Sequence, residues 1–334
     1  MGETARQVVF PAKDQVAIEE VEVGEPREGR VLVEMKSTLI STGTELAYLQ
    51  GITAQIQAGT HKYPIVPGYS SAGEVVAIGP GVTDVKVGDR VCGSAKHATR
   101  IEVPAQMAFP IPDGVSYEEA TFSTLSCVSL HGLRLSEPKL GEVIVVLGMG
   151  IVGQLALQFS ALTGPRMLVA VDVSNERLAM IDGMGADATI NPKETDAVER
   201  LKELTGGAMA DVVLDTTGAP AGFTSALELA GQRGRIVAVG STRGVVPEVD
   251  VYTHIHCKGL IIIGAHAGTH PQVATPYNMW TRPRNRVLAL ELMARGKVDT
   301  KPMITHRFPF DEAPDAFNLL VEDRTKAVGV VLEY

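Results

Sequence analysis

Val143-Ile144-Val145-Val146-Leu147-Gly148-Met149-Gly150-Ile151-Val152-Gly153 is the stretch that decides the fold. Its first five residues form an unbroken apolar run, the composition of a parallel strand buried on both faces. Three glycines follow at the spacing Gly148, Gly150, Gly153. In such a turn the first glycine permits the bend, the second lets backbone approach a pyrophosphate, and the third lets the following helix pack on the strand. The phosphates then meet free N–H groups and the positive end of a helix dipole.

Working outward, the pattern after this turn alternates helix and strand. Helical periodicity covers 151–163, 175–184, 196–204 and 221–231; short apolar strands cover 167–171, 187–190, 211–215, 235–239 and 260–263. With the opening strand that makes six strands with helical crossovers, the arithmetic of a doubly wound dinucleotide (Rossmann) fold. Asp172 ends the second strand, 19 residues past Gly153. A carboxylate there accepts both ribose hydroxyls of NAD and repels a 2′-phosphate; alternatively it caps the next helix. Arg177 is the counter-signal, since a nearby arginine accommodates NADP. Gly148, Gly150, Ile151, Val152, Gly153, Asp172, Arg177, Thr217, Gly240 and Ser241 are therefore the expected cofactor-binding residues, the last three because they follow strand ends. NAD is the expected cofactor.

Before this region the chain reads as short strands broken by turns, for example 31–35, 74–78 and the turn Gly79-Pro80-Gly81-Val82. That is a β-rich, mostly antiparallel barrel or sandwich. After it, 285–294 and 311–321 read as helices and 327–332 as a strand that packs back on the first segment. The chain has 334 residues, which suggests about two domains. The expected division is 1–120 with 266–334, and 121–265 between them.

Composition excludes other classes. With 45% hydrophobic residues the chain can bury a core. A net charge of −9, with lysine and arginine scattered singly, leaves no stripe for nucleic acid. The apolar runs fall far short of the roughly 18 residues of a membrane span. Cys92, Cys127 and Cys257 form no disulfide framework. No signal-peptide core appears among the first residues, so a cytoplasmic protein acting on a small molecule is expected.

Taken together, Gly43-Thr44-Glu45, Val66-Pro67-Gly68, Gly73-Glu74-Val75, Val87-Gly88-Asp89-Arg90-Val91, the glycine turn and Gly234-Arg235-Ile236-Val237 resemble the medium-chain dehydrogenase/reductase superfamily along nearly the whole chain. The resemblance implies a GroES-like catalytic domain built from both ends of the chain around a central Rossmann domain. It also implies a homodimer or homotetramer, with the apolar last strand, 260–263, as the sheet edge to be covered. The segment 41–45 with 66–69 is most similar to the branch containing hydroxyethyl bacteriochlorophyllide dehydrogenases.

The chain departs from the family at its metal. The catalytic zinc of that family uses a cysteine where this sequence has Thr42, and a His-Glu pair where it has Tyr69-Ser70; only Cys127 falls where a third ligand lies. The cysteines of the structural lobe are missing from 95–102. One thiolate is not a zinc site, so no zinc is expected. His254, His256 and Cys257 offer at most two ligands, read as alternating on a strand. Without a metal the proton must pass through side chains, or the reaction must need no alkoxide. The expected carriers are Thr44, Tyr69, His131 and Glu45. Thr44 matches the hydroxyl-relay position of the family, and His131 is a natural base at neutral pH. Thr42, Tyr48, His266, Trp280 and Arg282 are expected to shape the substrate pocket.

The leading function is zinc-independent, NAD(H)-dependent interconversion of a secondary alcohol (a polyol, sugar or cyclitol derivative) and a ketone. Reduction of a C=C bond, and non-catalytic NAD(H) binding, are the alternatives.

Overall fold

The computed structural model describes residues 3–246, 249–322 and 327–334. The chain divides into two compact units. The first comprises residues 1–124, 290–294 and 300–334; the second comprises 125–289 and 295–299.

The first unit opens with an antiparallel pair, β1 (Glu3–Val9) and β2 (Ala17–Val23). It continues through β3 (Arg30–Ile40), α1 (Thr44–Leu49), α2 (Ala54–Gln57), β4 (Ser71–Ile78), β5 (Arg90–Gly93), β6 (Arg100–Pro104), β7 (Phe109–Pro110) and α3 (Tyr117–Thr121). Gly79-Pro80-Gly81 turns the chain after β4 as expected, with Gly81 at φ +78°. The next helix, α4 (Ser123–Leu135), leads into the second unit.

There the strands are β8 (Val143–Leu147), β9 (Met167–Val171), β10 (Ala188–Ile190), β11 (Ala210–Asp215), β12 (Ala230–Ala238) and β13 (Ile261–Gly264). Helices α5 (Ile151–Ala161), α6 (Asn175–Met180), α7 (Ala197–Thr205) and α8 (Pro220–Leu229) connect them. All six strands are parallel, in the order β10-β9-β8-β11-β12-β13. The chain winds outward from β8 to β10 and then returns beside β8 as β11. Ligands bind at such a reversal, outside the carboxyl ends of the strands. Every residue of β8 is buried, which explains its lack of polar alternation.

The tail contributes α9 (Arg282–Ala294), β14 (Ile304–Pro309), α10 (Ala313–Glu322) and β15 (Gly329–Glu333). β15 pairs antiparallel with β3, Val331 opposite Leu39, so the last strand completes the sheet of the first unit. That seven-stranded sheet runs β14-β15-β3-β4-β5-β7, with β6 also on β3. Its core joins both ends of the chain: Phe10 meets Phe317 edge to face at 5.1 Å, among Ile40, Leu46, Val330 and Leu332. Burying a side chain such as Phe317 contributes roughly 2–3 kcal/mol.

Four expectations are corrected. Residues 266–289, expected in the first domain, cluster with the second unit. The helix expected over 221–231 ends at Leu229, and β12 begins at Ala230. The helix expected over 175–184 stops at Met180, ahead of Gly183 and Gly185, both at positive φ. His254 and His256 lie on a π-helical turn, Val251–His256, not on a strand; the Asp250 carboxylate caps it by accepting from Tyr252 and Thr253. The pairing of two ligands on one strand face is therefore lost. Among the described residues no helix is long and apolar enough to cross a membrane.

Candidate active site

In the second unit the glycine turn has the geometry its spacing requires. Gly148 sits at φ +88°, a conformation that side-chain-bearing residues avoid. A Cβ on Gly153 would lie 1.7 Å from the Gly148 carbonyl, so helix and turn touch only because the residue is glycine. Around Gly150 the space is open, and no side chain caps the N-terminus of α5. Without a side-chain cap among the described residues, those N–H groups suit an anion. Ile151 is buried beneath the turn, and the Val152 carbonyl accepts from Ser129 Oγ at 2.8 Å.

Asp172 is buried at the end of β9. It accepts from the Met149 N–H at 2.6 Å and the Ser174 N–H at 2.8 Å. It therefore ties the glycine turn to the start of α6, while Ser174 is the cap of that helix. Each carboxylate oxygen keeps a lone pair for a further donor. Arg177, half-buried on α6, stands three residues beyond that cap. Thr217, after β11, is held by the buried Asp215 carboxylate, which accepts from both its N–H and its hydroxyl. Burial pushes the Asp215 carboxyl up from its ordinary range. Gly240 packs so closely on Gly218 and Thr216 that a Cβ would sit 2.6 Å from the Gly218 nitrogen; Ser241 beside it is exposed.

His131 differs from expectation. It is buried on α4, its ring stacked on that of His270 at 4.0 Å. Thr269 Oγ donates to the His266 carbonyl and so accepts from His131 Nε2–H at 2.9 Å. Burial, with His270 adding to it, pushes His131 down to about 4. At neutral pH it is a neutral imidazole and a weak base. It suits holding a hydrogen bond better than drawing off a proton. His266 is exposed and accepts the Gly268 N–H. Trp280 carries the Arg134 guanidinium 3.5 Å above its ring, and the Arg282 carbonyl accepts from the Cys127 thiol at 3.5 Å.

The first unit holds a second polar constellation that the sequence did not reveal. Glu45 is nearly fully buried on α1, accepting from the Ser41 N–H at 3.0 Å and lying 2.7 Å from His97 Nε2. His97 Nδ1 is 2.7 Å from Thr38 Oγ, which in turn is 3.0 Å from the Tyr334 hydroxyl. With the His97 proton on Nε2, every member of this chain is satisfied. Tyr69 donates its hydroxyl to Ser41 Oγ. Gly68, at φ +104°, presses so closely on the His97 backbone that no Cβ would fit, which fixes Tyr69 beside this network. Glu45, expected as a proton carrier, has both oxygens engaged and acts only through Ser41 and His97. Thr44 occupies the first position of α1 and Gly43 is its cap, so Thr44 does not cap the helix. Thr42 is half-buried beside it. The Tyr48 ring lies 5.4 Å from His61, and its carbonyl accepts from Tyr63.

Residues 27–129 match the alcohol dehydrogenase GroES-like domain, and residues 152–281 match the zinc-binding dehydrogenase domain. The chain belongs to the medium-chain dehydrogenase/reductase superfamily. It is similar to the sorbitol dehydrogenase of Bacillus subtilis (strain 168), 26% identical over 95% of this chain and 94% of that protein. It is also similar to the alcohol dehydrogenase of Geobacillus stearothermophilus, at 29% over 94% and 95%. In structure it resembles the galactitol-1-phosphate dehydrogenase of Escherichia coli, with a TM-score of 0.85 at 23% identity over 98% of this chain and 100% of that one. Like these medium-chain dehydrogenases, it is an oxidoreductase of the alcohol/ketone type.

The residues at the superfamily's zinc positions do not fit the metal. Thr42 and the buried Ser70 offer hydroxyls, and Tyr69 offers a phenol that donates to Ser41. Burial pushes the Cys127 thiol up, with Arg286 and Arg282 pulling against it, and the thiol donates to a carbonyl. Zinc needs thiolate, neutral imidazole or carboxylate ligands in a tetrahedral array. Among the described residues no group of three or more such side chains comes together.

Proposed function

We propose that this chain is an NAD(H)-dependent, zinc-independent oxidoreductase that interconverts a secondary alcohol of polyol, sugar or cyclitol type and the corresponding ketone. The observation that carries the cofactor assignment is the Asp172 carboxylate, 2.6 Å from Met149 N inside the glycine turn. It puts a negative charge where the adenosine ribose of a dinucleotide on this turn would lie. It favours ribose hydroxyls, which donate to it, over a 2′-phosphate, which it repels. A nicotinamide cofactor bound there would supply the acceptor for a hydride from the carbinol carbon, with the hydroxyl proton passing to the protein or solvent. The open N-terminus of α5 would hold the pyrophosphate, and Thr217, Gly240 and Ser241 follow strand ends of the same sheet.

For the proton, the Tyr69–Ser41 pair supplies adjacent hydroxyls in place of a Lewis acid, and the buried Glu45 and His97 hold Ser41 in register. Neutral His131 offers a fixed hydrogen-bonding group. Thr44, half-buried with no side-chain hydrogen bond among the described residues, retains a hydroxyl for a substrate oxygen. The exposed edge strand β13 supports a homodimer or homotetramer.

The test follows the nicotinamide absorbance band on mixing the protein with NAD and a panel of secondary alcohols, polyols and sugars, then with NADH and matching ketones and enones. Turnover on an alcohol–ketone pair is expected, with Tyr69→Phe lowering kcat while NADH affinity is retained. Turnover on enones alone would replace this reading with C=C reduction. NADH binding without turnover on any member would replace it with a non-catalytic binder.

A further inference from the structure

Two segments of the second unit bring cationic side chains together. Along α4, Cys127, His131 and Arg134 are spaced to share one helix face. Against that face comes the start of α9, carrying Arg282, Arg284, Asn285 and Arg286 in its first turns. Arg134 Nε donates to Asn285 Oδ1 at 3.0 Å while its guanidinium lies on Trp280. Arg286 is buried and hydrogen-bonds the Cys127 side chain. In a chain whose formal net charge is −9, three arginines, Arg282, Arg284 and Arg286, thus fall within the first five residues of α9.

Within that turn, N–H donors lack acceptors. Asn285 is 0% exposed, and its Nδ2 has no hydrogen-bond partner among the described residues. The buried Nε of Arg282 has none either. Burial alone moves Arg134, down to about 10, and no carboxylate beside it acts in the other direction. Desolvated cations and orphaned donors are costly unless a ligand supplies the missing acceptors. An oxyanion does so in one piece: its oxygens accept from an arginine fork and from the Asn285 amide.

We propose that the first turn of α9, with Arg134, binds an anionic group, phosphate or carboxylate, carried by the substrate. This rests on the reading of the protein as an alcohol/ketone oxidoreductase only for the word substrate; the anion site stands on its own geometry. It narrows the substrate class to phosphorylated or carboxylated polyols and sugars.

Trp280 is the single tryptophan and is stacked on Arg134, so its fluorescence reports directly on this turn. Inorganic phosphate is titrated at constant ionic strength into protein saturated with NAD, which occupies the glycine turn. The expected result is a saturable change in Trp280 emission whose apparent Kd rises about tenfold or more in Arg282→Gln, with partial recovery in Arg282→Lys. The far-ultraviolet dichroism and melting temperature of each variant establish that it is folded. Substituting D-gluconate for phosphate separates a carboxylate site from a phosphate site; saturation by either, lost in Arg282→Gln, supports the proposal. No saturable response to either anion overturns it, as does a response unchanged in folded Arg282→Gln, or one abolished by NAD. Efficient turnover of neutral polyols without anion binding also overturns it while leaving the proposed function intact. Anion binding without turnover on any alcohol supports this site and overturns the functional reading instead.

Discussion

Packed against His270 and shielded from water, His131 is held neutral well below the pH at which a free histidine takes up a proton. The unfolded chain protonates this residue near pH 6.5, and the folded chain only near 4. Between those values the unfolded state binds more protons, so stability falls as the pH drops through the window and is unaffected above it. The full depression corresponds to about 3 kcal/mol, and solvent screening reduces what is realised. Urea unfolding followed from pH 7 to 4 should show this loss, and His131→Gln should flatten it; an equal slope in both would remove His131 as its source. Asp172→Ser is expected to weaken NADH binding about tenfold or more and to narrow its margin over NADPH, read by calorimetric titration of both cofactors. Unchanged selectivity would take Asp172 out of the ribose site. These two residues also differ in how they could be read. Asp172 belongs to a contiguous strand–turn–helix pattern, so its position follows from spacing. The low basicity of His131 comes from its burial and from His270, while its hydrogen-bond partner Thr269 lies 138 residues away, and no local pattern announces either.

The strand–glycine turn–helix unit, β8 to α5, was legible because three signals coincide: an apolar run, glycines at fixed offsets and helical periodicity beyond them. Gly153→Ala tests the third glycine. The added methyl would lie 1.7 Å from the Gly148 carbonyl, so the turn must shift. A loss of about 1–3 kcal/mol in stability and a drop in NADH affinity are expected, read by urea unfolding and cofactor titration. Full cofactor affinity in the variant would mean that the turn does not hold the pyrophosphate. The turn at Val251–His256 was misread because alternating histidines mimic a strand, while the signal that mattered was the Asp250 cap. The network of Glu45, His97, Thr38 and Tyr334 stayed hidden for another reason. Its partners are 52, 59 and 296 residues apart, joined only when β15 closes on β3 and the 67–69 segment packs against 96–97. Side chains that meet through tertiary pairing leave no periodic trace.

For the whole molecule, the sheet of the second unit ends at β13, where Ile261 and Ile262 are 52% and 42% exposed. An apolar strand edge with unpaired backbone groups is a template for another copy of the same chain. Sedimentation is expected to show a dimer or tetramer that Ile262→Lys shifts toward monomer; a monomeric wild type would remove the proposed assembly. The joining of both chain ends in one β-sheet was foreseeable, because the tail is too small to fold alone. The assignment of 266–289 was not, since those residues carry few periodic apolar positions and cluster with the second unit through His270, Trp280 and the start of α9.

The proposed chemistry dispenses with the zinc of the superfamily and relies on the hydroxyls of Tyr69 and Ser41. The most direct measurement is zinc content together with NAD-coupled turnover of the responsive alcohol, before and after exhaustive chelation. Substoichiometric zinc and an unchanged kcat are predicted. About one zinc per chain, with activity lost on chelation and restored by zinc alone, would make this a zinc enzyme after all.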